Sequence, residues 1–262
     1  MEVIIRPNVK QVIDLTARLI CDSVKKKPES VLGLATGRTM ENLYVNIVGR
    51  YLDGEVDFAG CSSFNLDEYV GLEPTNKNSY RYYMNSLLFN KININKLNTH
   101  LPDGHCEDLE RAGEEYEELI LQKGGIDLQL LGIGNTGHIG FNEPLSSLMS
   151  RTRAKGLAPI TIAQNQTLFE DPADMPTRAM TMGVGTILDA RRIILVATGK
   201  GKADILAKAV EGPITSMISA SALQLHPNCI IICDEDAASE LQGKDYYYRL
   251  FDNEPEWEQY RG

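Results

Sequence analysis

The stretch Leu131-Gly132-Ile133-Gly134-Asn135-Thr136-Gly137-His138-Ile139-Gly140-Phe141-Asn142-Glu143-Pro144 puts an imidazole and a carboxylate five residues apart on a glycine-rich segment. The glycines let the backbone approach a ligand closely, and Glu143 can fold back to orient the ring, which suits His138 to moving protons near neutral pH. A second group, Asp67-Glu68, follows the mostly apolar Phe64-Asn65-Leu66. Partial burial beside a like charge raises a carboxyl pKa and fits the group to take a proton from carbon. Adjacent side chains on an extended segment point to opposite faces, so one acid of the pair reaches a pocket. A strand end with two solvated acids is the other reading these residues allow. Thr36-Gly37-Arg38-Thr39 combines two hydroxyls, a flexible glycine and a guanidinium at an expected helix start. That is either an anion cradle or a plain capped turn, and it is not a Walker loop. The other histidines lack such company. His100 and His105 flank a Pro-Asp-Gly turn, and His226 precedes a proline.

The elements needed to hold these groups follow from periodicity. Strands are expected at Val3 to Arg6, Val31 to Ala35, Cys61 to Leu66, Ile126 to Ile133, Arg192 to Ala197 and Cys229 to Cys233. Between them fall helices at Val9 to Lys26, Thr39 to Tyr51, Ser79 to Phe89, Cys106 to Gln122 and Lys202 to Val210, with a shorter one near Ser219 to Leu225. Such alternation predicts an α/β fold with a mostly parallel sheet and helices on both faces. Ligands in these sheets bind at the carboxyl ends of strands, where all three groups stand. The Gly132-x-Gly134-x-x-Gly137 spacing formally matches a dinucleotide fingerprint, but Asn142-Glu143-Pro144 interrupts any following helix and no acid ends the next strand. From Phe141 to Thr186 the rhythm breaks into a Pro-, Ser-, Thr- and Asp-rich stretch, read either as an active-site lid or as β-ribbon decoration. No linker divides the chain, so one domain spanning residues 1–262 is expected.

Composition narrows the partners. With 26 Lys and Arg against 36 Asp and Glu, the 262-residue chain carries a formal charge of −10. The acid excess disfavours nucleic acid and anionic membrane surfaces, while a small anion remains admissible because a pocket needs only a local field. Five scattered cysteines read as reduced thiols, and Cys229 and Cys233 flank an isoleucine run that argues for a buried strand rather than a metal site. The first residues lack a signal-peptide pattern, and no apolar run approaches the roughly 18 residues of a membrane span. A cytoplasmic protein is expected.

Several of these segments together resemble one family. Asn65-Leu66-Asp67-Glu68-Tyr69-Val70-Gly71-Leu72, Gly134 to Pro144, and Ser150-Arg151-Thr152-Arg153 are similar to glucosamine-6-phosphate deaminases, also called isomerases. Thr181-Met182-Gly183-Val184-Gly185-Thr186, Ala209-Val210-Glu211-Gly212 and Leu223-Gln224-Leu225-His226-Pro227 extend the likeness over nearly the whole chain in order. The related 6-phosphogluconolactonases lack the Phe-Asn-Glu-Pro continuation after Gly-His. The resemblance implies a modified Rossmann-like three-layer fold with an active-site lid. It also implies a cofactor-free, metal-free conversion of glucosamine 6-phosphate and water to fructose 6-phosphate and ammonia. His138 would open the sugar ring with Glu143 tuning it and Thr136 beside it, and Asp67 would move a proton between C2 and C1 through an enolamine. Thr36, Gly37, Arg38, Thr39 and Lys202 would hold the phosphate, with Glu68 and Gly137 also counted among the substrate-binding residues.

Three positions depart from the family pattern. The residue before Gly137-His138, usually Asp or Asn, is Thr136, which implies weaker orientation of the histidine and slower ring opening. The phosphate loop reads Thr36-Gly37-Arg38-Thr39-Met40 instead of Thr-Gly-Gly/Ser-Thr-Pro, and Thr167 stands where many members place a lid arginine. Arg38 is therefore expected to supply the guanidinium missing from the lid. Some members are hexamers activated by N-acetylglucosamine 6-phosphate at subunit interfaces; Ser146, Arg153, Lys155 and Tyr248 match that effector site in position, and a homo-oligomer is expected. Two other readings stay open: the same chemistry on galactosamine 6-phosphate, and a sugar-phosphate-binding sensor. The sensor lacks support from any basic helix-turn-helix segment and has no need of Asp67, His138 and Glu143 together.

Overall fold

The computed structural model describes residues 1–261. In chain order its regular elements are β1 (Glu2–Arg6), α1 (Val9–Lys26), β2 (Val31–Leu34), α2 (Arg38–Leu52), β3 (Ser62–Asn65), β4 (Asp67–Tyr69), α3 (Tyr80–Met84), β5 (Thr99–His100) and α4 (Leu109–Gln122). These are followed by β6 (Leu128–Leu131), β7 (Arg153–Gly156), α5 (Pro159–Asn165), β8 (Arg178–Thr181), α6 (Val184–Leu188), β9 (Ile193–Ala197), α7 (Ala203–Val210), β10 (Cys229–Asp234) and α8 (Lys244–Asn253). Seven strands form one sheet in the order β1-β10-β9-β6-β2-β3-β5, and every pairing in it is parallel. The expected three-layer α/β architecture is the one observed.

Local chemistry sets the element ends. Asn8 opens α1 by accepting a hydrogen bond from the Gln11 backbone N–H, and the helix stops at Lys27 ahead of Pro28. Its buried face of Val12, Ile13, Leu15, Leu19 and Ile20 lies against the sheet core. The strands β6, β9 and β10 are buried along their whole length, which explains why they are mostly Leu, Ile and Val with no alternation of polar residues. Cys229 and Cys233 are free thiols inside β10.

Some boundaries differ from expectation. The helix expected from Cys106 begins at Leu109, because the Asp108 side chain accepts from the Arg111 N–H and caps it there. The helix expected over Ser79 to Phe89 is α through Met84 and then a π turn over Asn85–Phe89. The helix near Ser219 to Leu225 is a 3-10 segment. Of the two readings of 141–186, the β-ribbon is the one the strands show. Strands β7 and β8 form an antiparallel ribbon that adds β4 to make a second, three-stranded sheet, and the seven-residue α5 rides above it. Tyr69, Phe141, Leu157, Phe169, Met175 and Ala179 give this layer its own small core. No helix among the described residues is long and apolar enough to cross a membrane.

Candidate active site

In the strand order, β2 continues to β3 and β5 on one side, and β6 lies on its other side. The connections leaving β2 and β6 therefore diverge, and the crevice between them is the topological switch point where such sheets bind ligands. Thr36 to Thr39 follows β2, Asp67 opens β4 with one residue between it and the end of β3, Gly132 to Glu143 follows β6, and Gly199 to Lys202 follows β9. These four strands, β9, β6, β2 and β3, are neighbours in the sheet. The groups singled out from the sequence thus meet at one rim.

After β6 the chain runs in turns rather than into a helix, so the Gly132-x-Gly134-x-x-Gly137 spacing serves a tight loop and not a dinucleotide site. Gly137 and Gly140 adopt φ of 79° and 56°, and Gly134 packs beneath the imidazole. A Cβ at Gly134 would lie 2.0 Å from His138 Nε2. The loop is stapled from three directions. Asn142 donates its amide to the carbonyls of Ile139 and Met182, the Thr181 hydroxyl accepts from the Phe141 N–H at 3.0 Å, and Ser219 bonds both the Ile139 N–H and the Asn142 carbonyl.

Inside this loop His138 Nδ1 lies 2.9 Å from Glu143 Oε2, and the Thr136 hydroxyl sits 2.8 Å from the same nitrogen. Thr136 also donates to Glu143 Oε2 at 3.2 Å. With Nδ1–H aimed at the carboxylate, Nε2 is the ring nitrogen left to exchange a proton. Glu143 is 3% exposed. Burial opposes its charge, but hydrogen bonds and the charge of His138, the Thr161 hydroxyl and the Ala158 N–H outweigh that penalty and hold the carboxyl at about 2. The negative partner that Thr136 cannot provide is therefore Glu143 itself.

Asp67 and Glu68 separate as strand alternation requires. Glu68 turns away from the loop and accepts from the backbone N–H groups of Tyr69, Tyr80 and Arg81, each at 2.9 Å, which anchors the start of α3. Its carboxylate is thus committed to backbone donors, where sequence likeness had placed it among substrate contacts. Asp67 faces the His138 loop: it pairs in register with Thr181, and a Cβ at Gly140 would lie 3.7 Å from its Oδ2. Burial first, and the Glu68 charge second, push the Asp67 carboxyl up to about 8. A carboxyl held near neutrality is able both to accept and to return a proton.

The opposite end of the crevice is cationic. Gly37, at φ 112°, opens α2 without a side-chain cap, and Arg38 projects into solvent at the first helical position with Thr36 and Thr39 beside it. A cation at a helix N-terminus opposes the helix dipole, so Arg38 does not stabilise its own helix there. Lys202, after β9, is part-buried; burial lowers its pKa, and its ammonium donates to Asn135 Oδ1 at 2.6 Å. The Gly37 carbonyl is fixed by the Tyr83 hydroxyl.

The four positions matched to an effector site are not joined within the chain. Arg153 donates to Asn142 Oδ1 and so touches the His138 loop; Ser146 is buried with its hydroxyl unpaired; Lys155 lies on β7. Tyr248, on α8, donates to Glu235, and no hydrogen bond among the described residues links it to the other three. The residues that sequence reasoning missed are supports: Thr161, Thr181 and Ser219 act through single hydroxyls, and nothing in the segments around them marks those hydroxyls as contacts of the His138 loop. His226, by contrast, is structural as expected, accepting from the Asn228 N–H and donating to the Ala190 carbonyl.

Comparison with known proteins agrees with this geometry. Residues 8–231 match the model of the family described as glucosamine-6-phosphate isomerases/6-phosphogluconolactonase. The chain is 51% identical to a glucosamine-6-phosphate deaminase of Shewanella loihica, covering 95% of this chain and 93% of that one. It is 45% identical to a deaminase of the same name from an Arthrobacter species, over 98% and 99% of the two chains. A solved structure of a monomeric glucosamine-6-phosphate deaminase superposes with a TM-score of 0.89 at 40% identity, covering 92% of this chain and all of that one. The 6-phosphogluconolactonase of Trypanosoma cruzi, 18% identical with a TM-score of 0.75, shares the fold. The chain belongs to the glucosamine-6-phosphate isomerase/6-phosphogluconolactonase family.

Proposed function

We propose that this protein is a glucosamine-6-phosphate deaminase, converting glucosamine 6-phosphate and water to fructose 6-phosphate and ammonia. The observation that carries the reading is the buried Asp67 set against the His138–Glu143 pair, across a crevice whose other end offers Arg38, Lys202 and the uncapped start of α2. The relatives' names point the same way. Thr36, Gly37, Arg38, Thr39 and Lys202 take the phosphate. His138, its Nδ1–H directed at Glu143, uses Nε2 to move the proton from the sugar's O1 to O5, which opens the ring to the aldehyde.

Asp67 then removes the C2 proton, the electron pair passes toward C1, and O1 is protonated to give the enolamine. The same carboxyl returns the proton to C1, leaving an iminium at C2. Water adds there and ammonia departs, giving the 2-ketose phosphate. These are proton transfers and a hydration, so the proposal includes no cofactor. The raised pKa of Asp67 fits a group that must take a weakly acidic carbon-bound proton and give it back. The acid excess of the chain is compatible with an anionic substrate, since the cations stand locally at the phosphate end.

The proposal extends to a single domain acting in the cytoplasm in amino-sugar catabolism, as a homo-oligomer of up to six copies. Ser146, Arg153, Lys155 and Tyr248 would contribute to an effector site between copies. Sedimentation separates this from a monomer like the solved relative. The activity itself is tested with purified protein supplied with glucosamine 6-phosphate or galactosamine 6-phosphate. Ammonia and fructose 6-phosphate in equal amounts from the first are expected. Turnover of galactosamine 6-phosphate alone would reassign the substrate, and turnover of neither, with binding retained, would make the protein a sensor.

A further inference from the structure

The helix α5 reaches back to both ends of the site from one face. Thr161 and Gln164, three residues apart and therefore neighbours on the helix surface, point the same way. The Thr161 hydroxyl donates to Glu143 Oε1 at 2.5 Å, and the Ala158 N–H just ahead of the helix donates to the same oxygen at 3.3 Å. Glu143 Oε2 is the oxygen that meets His138 and Thr136. One carboxylate is thus gripped by the lid on one oxygen and by the histidine loop on the other. At the far end of the face, Gln164 Oε1 accepts from Asn135 Nδ2 at 3.0 Å, while Asn135 Oδ1 accepts from the Lys202 ammonium. Asn165 adds a third tie, donating to the Tyr69 hydroxyl at 3.1 Å.

We propose that α5 is a clasp in which Thr161 is the positioning residue for the Glu143–His138 pair, and Gln164, through Asn135, holds the Lys202 ammonium at the phosphate end. The inference deepens the deaminase reading and rests on it. Glu143 accepts side-chain hydrogen bonds from His138, Thr136 and Thr161, and His138 is the one titratable group among them. Removing the Thr161 hydroxyl therefore takes away the one side-chain donor on Oε1 and leaves that oxygen only the longer bond from the Ala158 N–H, so the carboxylate, and the imidazole bonded to its other oxygen, are held less firmly in place. A lost hydrogen bond to a charged group corresponds to roughly a tenfold or larger change in rate when the group must be aligned for reaction.

The test compares wild type, Thr161→Val, Thr161→Ser and Gln164→Ala, each first shown to be folded by its thermal transition. Thr161→Val should lose about tenfold in kcat with KM little changed, and Thr161→Ser should recover most of it. Gln164→Ala should instead raise KM severalfold with kcat nearly kept. In the ligand-free proteins, the 15N signal of His138 Nδ1 should move in Thr161→Val and return in Thr161→Ser. Equal kcat in Thr161→Val, or no recovery by serine, would overturn the role of Thr161; an unchanged KM in Gln164→Ala would overturn that of Gln164. If the wild type turns over no aminosugar phosphate, the deaminase reading fails, and the His138 signal alone decides whether Thr161 positions the pair.

Discussion

Replacing Asp67 by asparagine should strengthen the fold while removing the proposed activity. Asp67 is 7% exposed, and its carboxyl sits at about 8 because burial and the Glu68 charge disfavour the anion. An unfolded chain releases that proton near the ordinary aspartate value of about 3.9. Between these two values the folded state holds a proton that the unfolded state has lost, so the stability contributed at this site falls as pH rises through the window and levels off above about 8. Near pH 7 the wild type has crossed about three units of the window, at about 1.4 kcal/mol each, which amounts to roughly 4 kcal/mol. Asparagine keeps the shape and has no proton to lose. Urea unfolding of both proteins from about pH 4.5 to 8.5, with the slope m held in common, reads the difference directly. The variant should gain steadily on the wild type across the range, reaching a margin of several kcal/mol. A margin independent of pH, or a less stable variant at neutral pH, would refute the placement of a desolvated carboxyl at this position.

Three other outcomes follow from the geometry. Thr136→Val removes the hydroxyl that bridges His138 Nδ1 and Glu143 Oε2 but leaves their direct 2.9 Å contact, so kcat should drop about tenfold and not vanish, measured by steady-state ammonia release. If the exposed Arg38 guanidinium serves the phosphate as proposed, Arg38→Ala should weaken binding of the phosphosugar about tenfold while leaving any binding of unphosphorylated glucosamine unaltered in calorimetry. Gly134→Ala forces the imidazole off its seat, because the new Cβ would overlap Nε2; turnover should fall by about a hundredfold while the thermal transition stays cooperative.

The sheet was legible because its strands are buried on both faces and carry plain runs such as Cys229 to Cys233, with helices of clear period between them. The clustering of Asp67, His138 and Arg38 was legible too, because each follows a strand and parallel strands deliver their carboxyl ends to one rim. The second sheet was legible only as an unplaced ribbon somewhere in 141–186, without its strands or its pairing to Asp67–Tyr69. Its strands are three or four residues long, and Arg153 to Gly156 and Arg178 to Thr181 are too polar and too short to show an alternation. Their pairing is set by tertiary contacts such as Asp67 opposite Thr181. Glu68 shows a second limit. Alternation predicted that one acid would turn away, but not that backbone N–H groups of Tyr80 and Arg81, distant in sequence, would satisfy it. The supports of the site, Thr161 and Ser219, are lone hydroxyls whose partners are set by the fold.

In the proposed reaction Asp67 carries the proton from C2 to C1. This transfer is tested most directly by running the reaction on glucosamine 6-phosphate in deuterated water, with wild type and Asp67→Asn side by side, and reading C1 of the fructose 6-phosphate by NMR. The account predicts product from the wild type with some deuterium at C1, from exchange at the carboxyl. It predicts loss of product formation by at least about a thousandfold in the variant, with phosphosugar binding retained. Product formed by Asp67→Asn at a rate near that of the wild type would contradict it.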